Sequence, residues 1–224
     1  MMGNKVHIFF PKDSSTDFLN SIIEYLTDKV DDEKIIIYRL TKREEHSDFF
    51  NYIYKIPKNE LIVFLGHGTS VALAGASTSE YENPTWISHK QLMAFEDLRV
   101  VLMSCRSNEY LKNYAKDCKL KAGIGFPFLL TDIDEINESD NIEQFSGEIN
   151  ERDIELFRKT ISNVIEKSIE DYLISELNFH SLYKRIELRL NKELLTINKS
   201  KFGKESLHSQ MIRDMRDSMY IMGF

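Results

Sequence analysis

Short, continuously apolar runs, separated by stretches with helical periodicity, constrain this chain more than any other feature. The runs are Val6-His7-Ile8-Phe9-Phe10, Ile35-Ile36-Ile37-Tyr38, Leu61-Ile62-Val63-Phe64-Leu65, Val100-Val101-Leu102-Met103 and Ala122-Gly123-Ile124-Gly125-Phe126. A strand with one wet face alternates apolar and polar residues, whereas a strand covered on both faces need not. Between the runs, Phe18, Ile22, Ile23, Leu26 and Val30 recur at spacings of three and four, with a helix cap read in Ser14-Ser15-Thr16-Asp17. Phe49, Phe50, Ile53 and Tyr54 mark a short helix that ends before Pro57. Residues 69–87, with small residues and Pro84, read as a loop. Ser88 opens a helix through Leu92, Met93 and Phe95, and Asn108 to Cys118 suits a helix with Tyr110, Leu111 and Tyr114 inward. Strands that alternate with helices predict an α/β chain: a mostly parallel central sheet in three layers, with helices on both faces.

The remainder has a different texture. Residues 131–153 are rich in Asp and Glu with sparse apolar anchors, and read as a long exposed loop. An amphipathic helix is expected from about Ile154 to Leu177, with Phe157, Ile161, Val164, Ile165, Ile169, Tyr172 and Leu173 on one face. From Asn178 the charge reverses: nine Lys and Arg against five Asp and Glu give +4, which leaves −11 for the first 177 residues of a chain whose net charge is −7. Ile186, Leu188 and Leu190 alternate as in a strand, but Phe179, Leu182, Tyr183, Ile186 and Leu190 fit a helix equally well. Met219-Tyr220-Ile221-Met222 reads as a closing strand. The expected organisation is one α/β domain over 1–177 and a basic C-terminal segment, 178–224, packed on it or completing it.

The 224 residues suit one large domain or one domain with an appendage. A net charge of −7 argues against a general nucleic-acid binder. The run at Val6–Phe10 is too short for a signal segment or a membrane span, so a cytoplasmic protein with reduced thiols is expected. Two cysteines, Cys105 and Cys118, are too few for a disulfide framework or a Cys-rich zinc site. His7, His46, His89, His180 and His208 show no metal-ligand spacing, and neither a metal nor a cofactor is expected.

Two reactive residues stand at carboxyl ends of inferred buried strands, the edge where open parallel sheets bind ligands. Leu61 to Leu65 delivers Gly66-His67-Gly68, and Val100 to Met103 delivers Ser104-Cys105-Arg106-Ser107. A His-Gly after a strand is ordinarily a turn, and a lone Cys there is ordinarily a small core residue. Their conjunction on one edge carries the functional reading. If the two strands are neighbours, His67 and Cys105 emerge together, and an imidazole beside a thiol takes its proton and makes a nucleophile. The amides of Gly68 and Cys105 are candidate oxyanion donors, with Ser104 and Arg106 as candidate substrate contacts.

These residues resemble the caspase-like cysteine peptidases, whose pattern is an apolar block ending in His-Gly and a later one ending in Cys. The likeness is greatest to the bacterial CHAT-type branch, where the Cys segment often reads Ser-Cys-x-Ser, as in Ser104-Cys105-Arg106-Ser107. It covers residues 60–130 by motif and residues 1–60 by element order alone. The resemblance implies a hydrolase with a Cys-His dyad: His67 as general base or acid, Cys105 as nucleophile and Gly68 as an oxyanion donor. It further implies a specific protein substrate, a possible regulatory protein partner, and a place as effector in a bacterial defence or cell-death system. The Gln-Ala-Cys-x-Gly motif of eukaryotic caspases is absent, and Met103 stands where metacaspases carry an Asp, so their specificity does not transfer. The alternative expectation is a catalytically silent caspase-like scaffold that acts as a protein-binding module.

Overall fold

The computed structural model describes residues 4–129, 131, 150–199 and 206–223. Every apolar run of the sequence is a strand. β1 (Val6–Pro11), β2 (Ile35–Leu40), β3 (Leu61–Leu65), β6 (Arg99–Met103) and β7 (Ala122–Gly125) lie parallel, and β8 (Tyr220–Met222) closes the sheet antiparallel to β7 in the order β2-β1-β3-β6-β7-β8. A separate antiparallel pair, β4 (Ala72–Leu73) and β5 (Ile87–Ser88), forms within the stretch expected to be loop. Two-residue strands fall below what periodicity can show.

Helices cover both faces, and the strand residues divide between two cores accordingly. Val6, Ile8, Leu61, Val63, Leu65, Val101 and Ile124 face one side with α1 (Asn20–Lys29), α5 (Glu151–Ile174), α6 (Phe179–Asn198) and α7 (Leu207–Ser218). Phe9, Ile62, Phe64, Val100 and Leu102 face the other with α2 (Arg43–Ile53), α3 (His89–Leu92) and α4 (Ser107–Tyr114). The expected stripe of α5 is buried throughout, from Phe157 to Leu173. Tyr54, grouped with the apolar residues of α2, lies just past its end and is 75% exposed.

Three local expectations are corrected. The turn before α1 is a short 3-10 segment, Ser14–Leu19, capped by Asp13 rather than by a residue of Ser14–Asp17. The carboxylate of Asp13 accepts the Ser15 amide, as an Asx turn does. α4 ends at Tyr114, short of Cys118. The acidic loop expected over 131–153 falls mostly outside the described residues, and Glu151–Asp153 belong to the first turn of α5.

The basic segment resolves its ambiguity in favour of a helix. α6 buries Phe179, Leu182, Ile186, Leu190 and Leu194 and leaves Leu188 and Leu195 exposed, a period of 3.6 and not of two. α7 and β8 then return the chain to the sheet, where Asn108 at the start of α4 donates to the Ser218 carbonyl at 2.9 Å. The segment from 178 onward is therefore part of the same core.

This burial predicts a contrast within one helix. Leu182→Ala should cost about 2–5 kcal/mol of stability in denaturant unfolding, and Leu188→Ala should stay within about 0.5 kcal/mol. Equal effects would contradict the packing of α6.

Candidate active site

The pairing of β3 with β6 builds the site. The two strands run parallel in a register that ends at Leu65 opposite Met103. His67 and Cys105 each follow two residues beyond that pair, so both leave the same edge of adjacent strands. The loops touch directly. A Cβ built on Gly68 would stand 2.7 Å from Ser104 Oγ, 3.0 Å from Ser104 Cβ and 3.3 Å from the Cys105 carbonyl oxygen. Glycine at 68 is what lets the His loop lie against the Cys loop.

β1 adjoins β3 on its other side, and its loop supplies two further residues: Ser15, which the sequence places only in a helix cap region, and Asp13, to which the sequence gives no role. Ser15 Oγ lies 2.6 Å from His67 Nε2 and 2.7 Å from Asp13 Oδ1, and Asp13 Oδ1 lies 3.5 Å from the same imidazole nitrogen. The side chains of His67 and Asp13 are only 21% and 17% exposed. The signal was present in outline: Asp13-Ser14-Ser15 follows a buried strand on the same sheet edge as the other two loops. Nothing in the spacing says which way those side chains point.

Asp13, Ser15, His67 and Gly68 line a cleft of about 360 Å³. Its far wall comprises Ala74, Gly75, Ala76 and Ser77, with Glu82, Asn83 and Pro84 beside it. Each amide of that wall is engaged: Ala74 to the His67 carbonyl, Gly75 to Asn83, Ala76 to His46 Nε2 and Ser77 to Lys12. His46, which has no role in the sequence reading, is 2% exposed. Its Nε2 accepts from Ala76 at 3.0 Å while its Nδ1 donates to the Lys42 carbonyl at 2.7 Å. Both partners fit a neutral ring, and burial lowers its pKa.

Cys105 is half-buried and is not among the residues lining the cleft. Its thiol donates to the Leu129 carbonyl and accepts from the Leu129 amide, both at 3.4 Å. Arg106 follows with φ of 53°, a left-handed conformation rare for a residue with a side chain. That sharp turn leads straight from the strand into α4, whose first turn lies against β7. A Cβ on Gly125 would stand 2.5 Å from the Ser107 carbonyl oxygen. The Arg106 guanidinium sits over the Phe128 ring, and its amide bonds the Pro127 carbonyl at 3.1 Å. Ser104 is 1% exposed, packed against Gly68, and its hydroxyl meets no partner among the described residues. The loop of His67 and Gly68 thus lies against the loop of Ser104, Cys105 and Arg106, but Ser104 is enclosed rather than open to the cleft, and the Arg106 side chain is turned onto Phe128.

The other sequence candidates lie elsewhere. His7 is buried in β1 and bonds Glu60, His89 stacks on Tyr114, and Cys118 is buried at the end of the turn after α4. Among the described residues no group of three or more His, Cys, Asp or Glu is arranged to hold a metal ion, and no helix is long and apolar enough to cross a membrane. No known protein family and no curated protein matches this chain.

The Gly68 contact is testable by coupling. Gly68→Ala should destabilise by about 1–3 kcal/mol through overpacking, and Ser104→Gly in the same chain should recover part of that loss. Additive effects in chemical unfolding would deny the contact.

Burial holds the imidazoles of His7, His46 and His208 below their ordinary pKa of 6.5. As pH falls through that value the unfolded chain binds protons that the folded chain refuses, so stability should fall. The thermal midpoint is expected to drop steadily between pH 7 and pH 5.5, and a midpoint independent of pH over that range would contradict the neutral assignment.

Proposed function

We propose that the protein is a caspase-like cysteine endopeptidase that cuts a specific protein partner, with Cys105 as nucleophile and His67 as general base and acid. One observation carries this reading: β3 and β6 are adjacent and in register, so both residues leave one sheet edge at the same distance beyond Leu65 and Met103. The left-handed turn at Arg106 adds support, because strain of that kind persists where the surroundings enforce it.

The chemistry follows from these positions. His67 removes the thiol proton of Cys105, and the thiolate attacks the carbonyl carbon of the scissile bond. The amides of Gly68 and Cys105 are the candidate donors to the resulting oxyanion. His67 then returns the proton to the leaving amine, which departs and leaves a thioester. A water, deprotonated by His67, hydrolyses that thioester and regenerates the thiol. By its resemblance to CHAT-type peptidases, the protein is proposed to act as an effector in a bacterial defence or cell-death system.

The contacts of Cys105 favour a second reading, that of a silent scaffold. The sulfur is held by the Leu129 backbone and lies outside the cleft lining, so an active enzyme must release that contact for substrate to enter.

A thiol-reactive peptidyl probe, followed by peptide mapping, separates the two. Cys105→Ala should abolish labelling with little loss of stability, because the thiol is only half-buried. His67→Ala should slow labelling at neutral pH by a factor on the order of a thousand, with recovery as pH approaches the free thiol range near about 8.5. Equal labelling of all three proteins would favour the scaffold.

A further inference from the structure

We propose that Asp13 and Ser15 are positioning residues that fix the tautomer of His67 and hold its charged form, making the catalytic unit a four-residue relay. This rests on the Cys-His reading above. Ser15 has one hydroxyl proton and stands within hydrogen-bond distance of both Asp13 Oδ1 and His67 Nε2. A carboxylate has no proton to give, so the Ser15 proton goes to Asp13, and the Ser15 oxygen must accept from Nε2–H. The neutral imidazole then carries its proton on Nε2 and keeps its basic lone pair on Nδ1. Nδ1 is therefore the nitrogen that takes the proton of Cys105.

Charge adds to geometry. When Nδ1 is protonated the ring becomes a cation, with its Nε2–H still on Ser15 and the Asp13 carboxylate 3.5 Å from that nitrogen. An anion so placed favours the charged form of a base. Both side chains are about four-fifths or more enclosed, so solvent screens the interaction less than at an open surface.

The relay is held rigidly. Asp13 Oδ1 accepts the Ser15 amide at 2.9 Å, and the Asp13 carbonyl accepts from both the amide and the hydroxyl of Thr16, which is 3% exposed. Ser15 is thereby pinned twice to Asp13 on the loop that leaves β1 beside β3. Neither residue is asked to touch the reacting atoms; they act through His67.

Alkylation of Cys105 by iodoacetamide, read by peptide mapping at pH 6.5 and pH 9, tests this. Cys118 is 2% exposed and serves as the internal marker of folding, since it should be labelled only in unfolded protein. Asp13→Asn keeps an oxygen for the Ser15 amide but removes the charge, so a purely structural cap predicts wild-type behaviour. The relay instead predicts that Asp13→Asn and Ser15→Ala slow labelling at pH 6.5 about tenfold while leaving the pH 9 rate within about twofold. Ser15→Thr, which retains a hydroxyl, should restore the wild-type rate. Wild-type rates in Asp13→Asn and Ser15→Ala at pH 6.5, with Cys118 protected and with His67→Ala still slow, would overturn the relay and leave the dyad standing. Wild-type rates in His67→Ala as well would remove the dyad itself. Should Ser15→Ala expose Cys118, Asp13→Asn decides: slowed labelling supports the relay and an unchanged rate overturns it.

Discussion

The parallel pairing of β3 with β6 is the constraint on which the site depends. Its register is set by burial: Leu61, Val63, Leu65, Val101 and Met103 fill one core, and Ile62, Phe64, Val100 and Leu102 fill the other. A slip of one residue would send each of those side chains to the opposite face, so hydrophobic packing holds the register far more firmly than the loops could. The positions of His67 and Cys105 are thus a by-product of a core that excludes water. Gly68 then determines how near the two loops approach, because any side chain there meets Ser104.

The outer layers hold that edge in place. α5 crosses the sheet face and its Arg158 bonds the Thr131 carbonyl, just past the Leu129 backbone that holds the Cys105 sulfur. α6 and α7 pack on α5, and β8 pairs with β7 beside the first turn of α4. The chain beyond residue 178 therefore supports, from the far side, the same turn that presents Cys105. On the opposite face His46 ties α2 to the wall of the cleft, so a buried neutral imidazole shapes the space beside the proposed catalytic one.

Much of this was legible in the sequence because both-face burial leaves a short unbroken apolar run, and its alternation with helical patterns marks it as a strand. The five parallel strands follow from that signal; the closing strand near Tyr220 is a shorter apolar run that is only partly buried, and the α5 stripe from Phe157 to Leu173 is legible instead from its helical period. α6 was ambiguous because Ile186, Leu188 and Leu190 alternate over too short a span; only the burial of Leu182 and Leu194 and the exposure of Leu188 distinguish the periods. The β4–β5 pair was hidden because two-residue strands have no periodicity. Within the site, the shared edge of His67 and Cys105 could be inferred from strand ends. The Asp13–Ser15–His67 contacts could not, since they join residues 52 apart through side-chain directions that sequence spacing does not encode.

Cys105 and His67 are proposed to form one reacting unit on the edge shared by β3 and β6. A crystal structure of the protein treated with a peptidyl ketone inhibitor would decide this. Continuous density is expected from Cys105 Sγ to the inhibitor, with the inhibitor oxygen directed at the Gly68 amide and His67 Nδ1 within hydrogen-bond distance of the sulfur while Nε2 remains on Ser15. An adduct on Cys118, or one on Cys105 with the imidazole turned away from the sulfur, would contradict it.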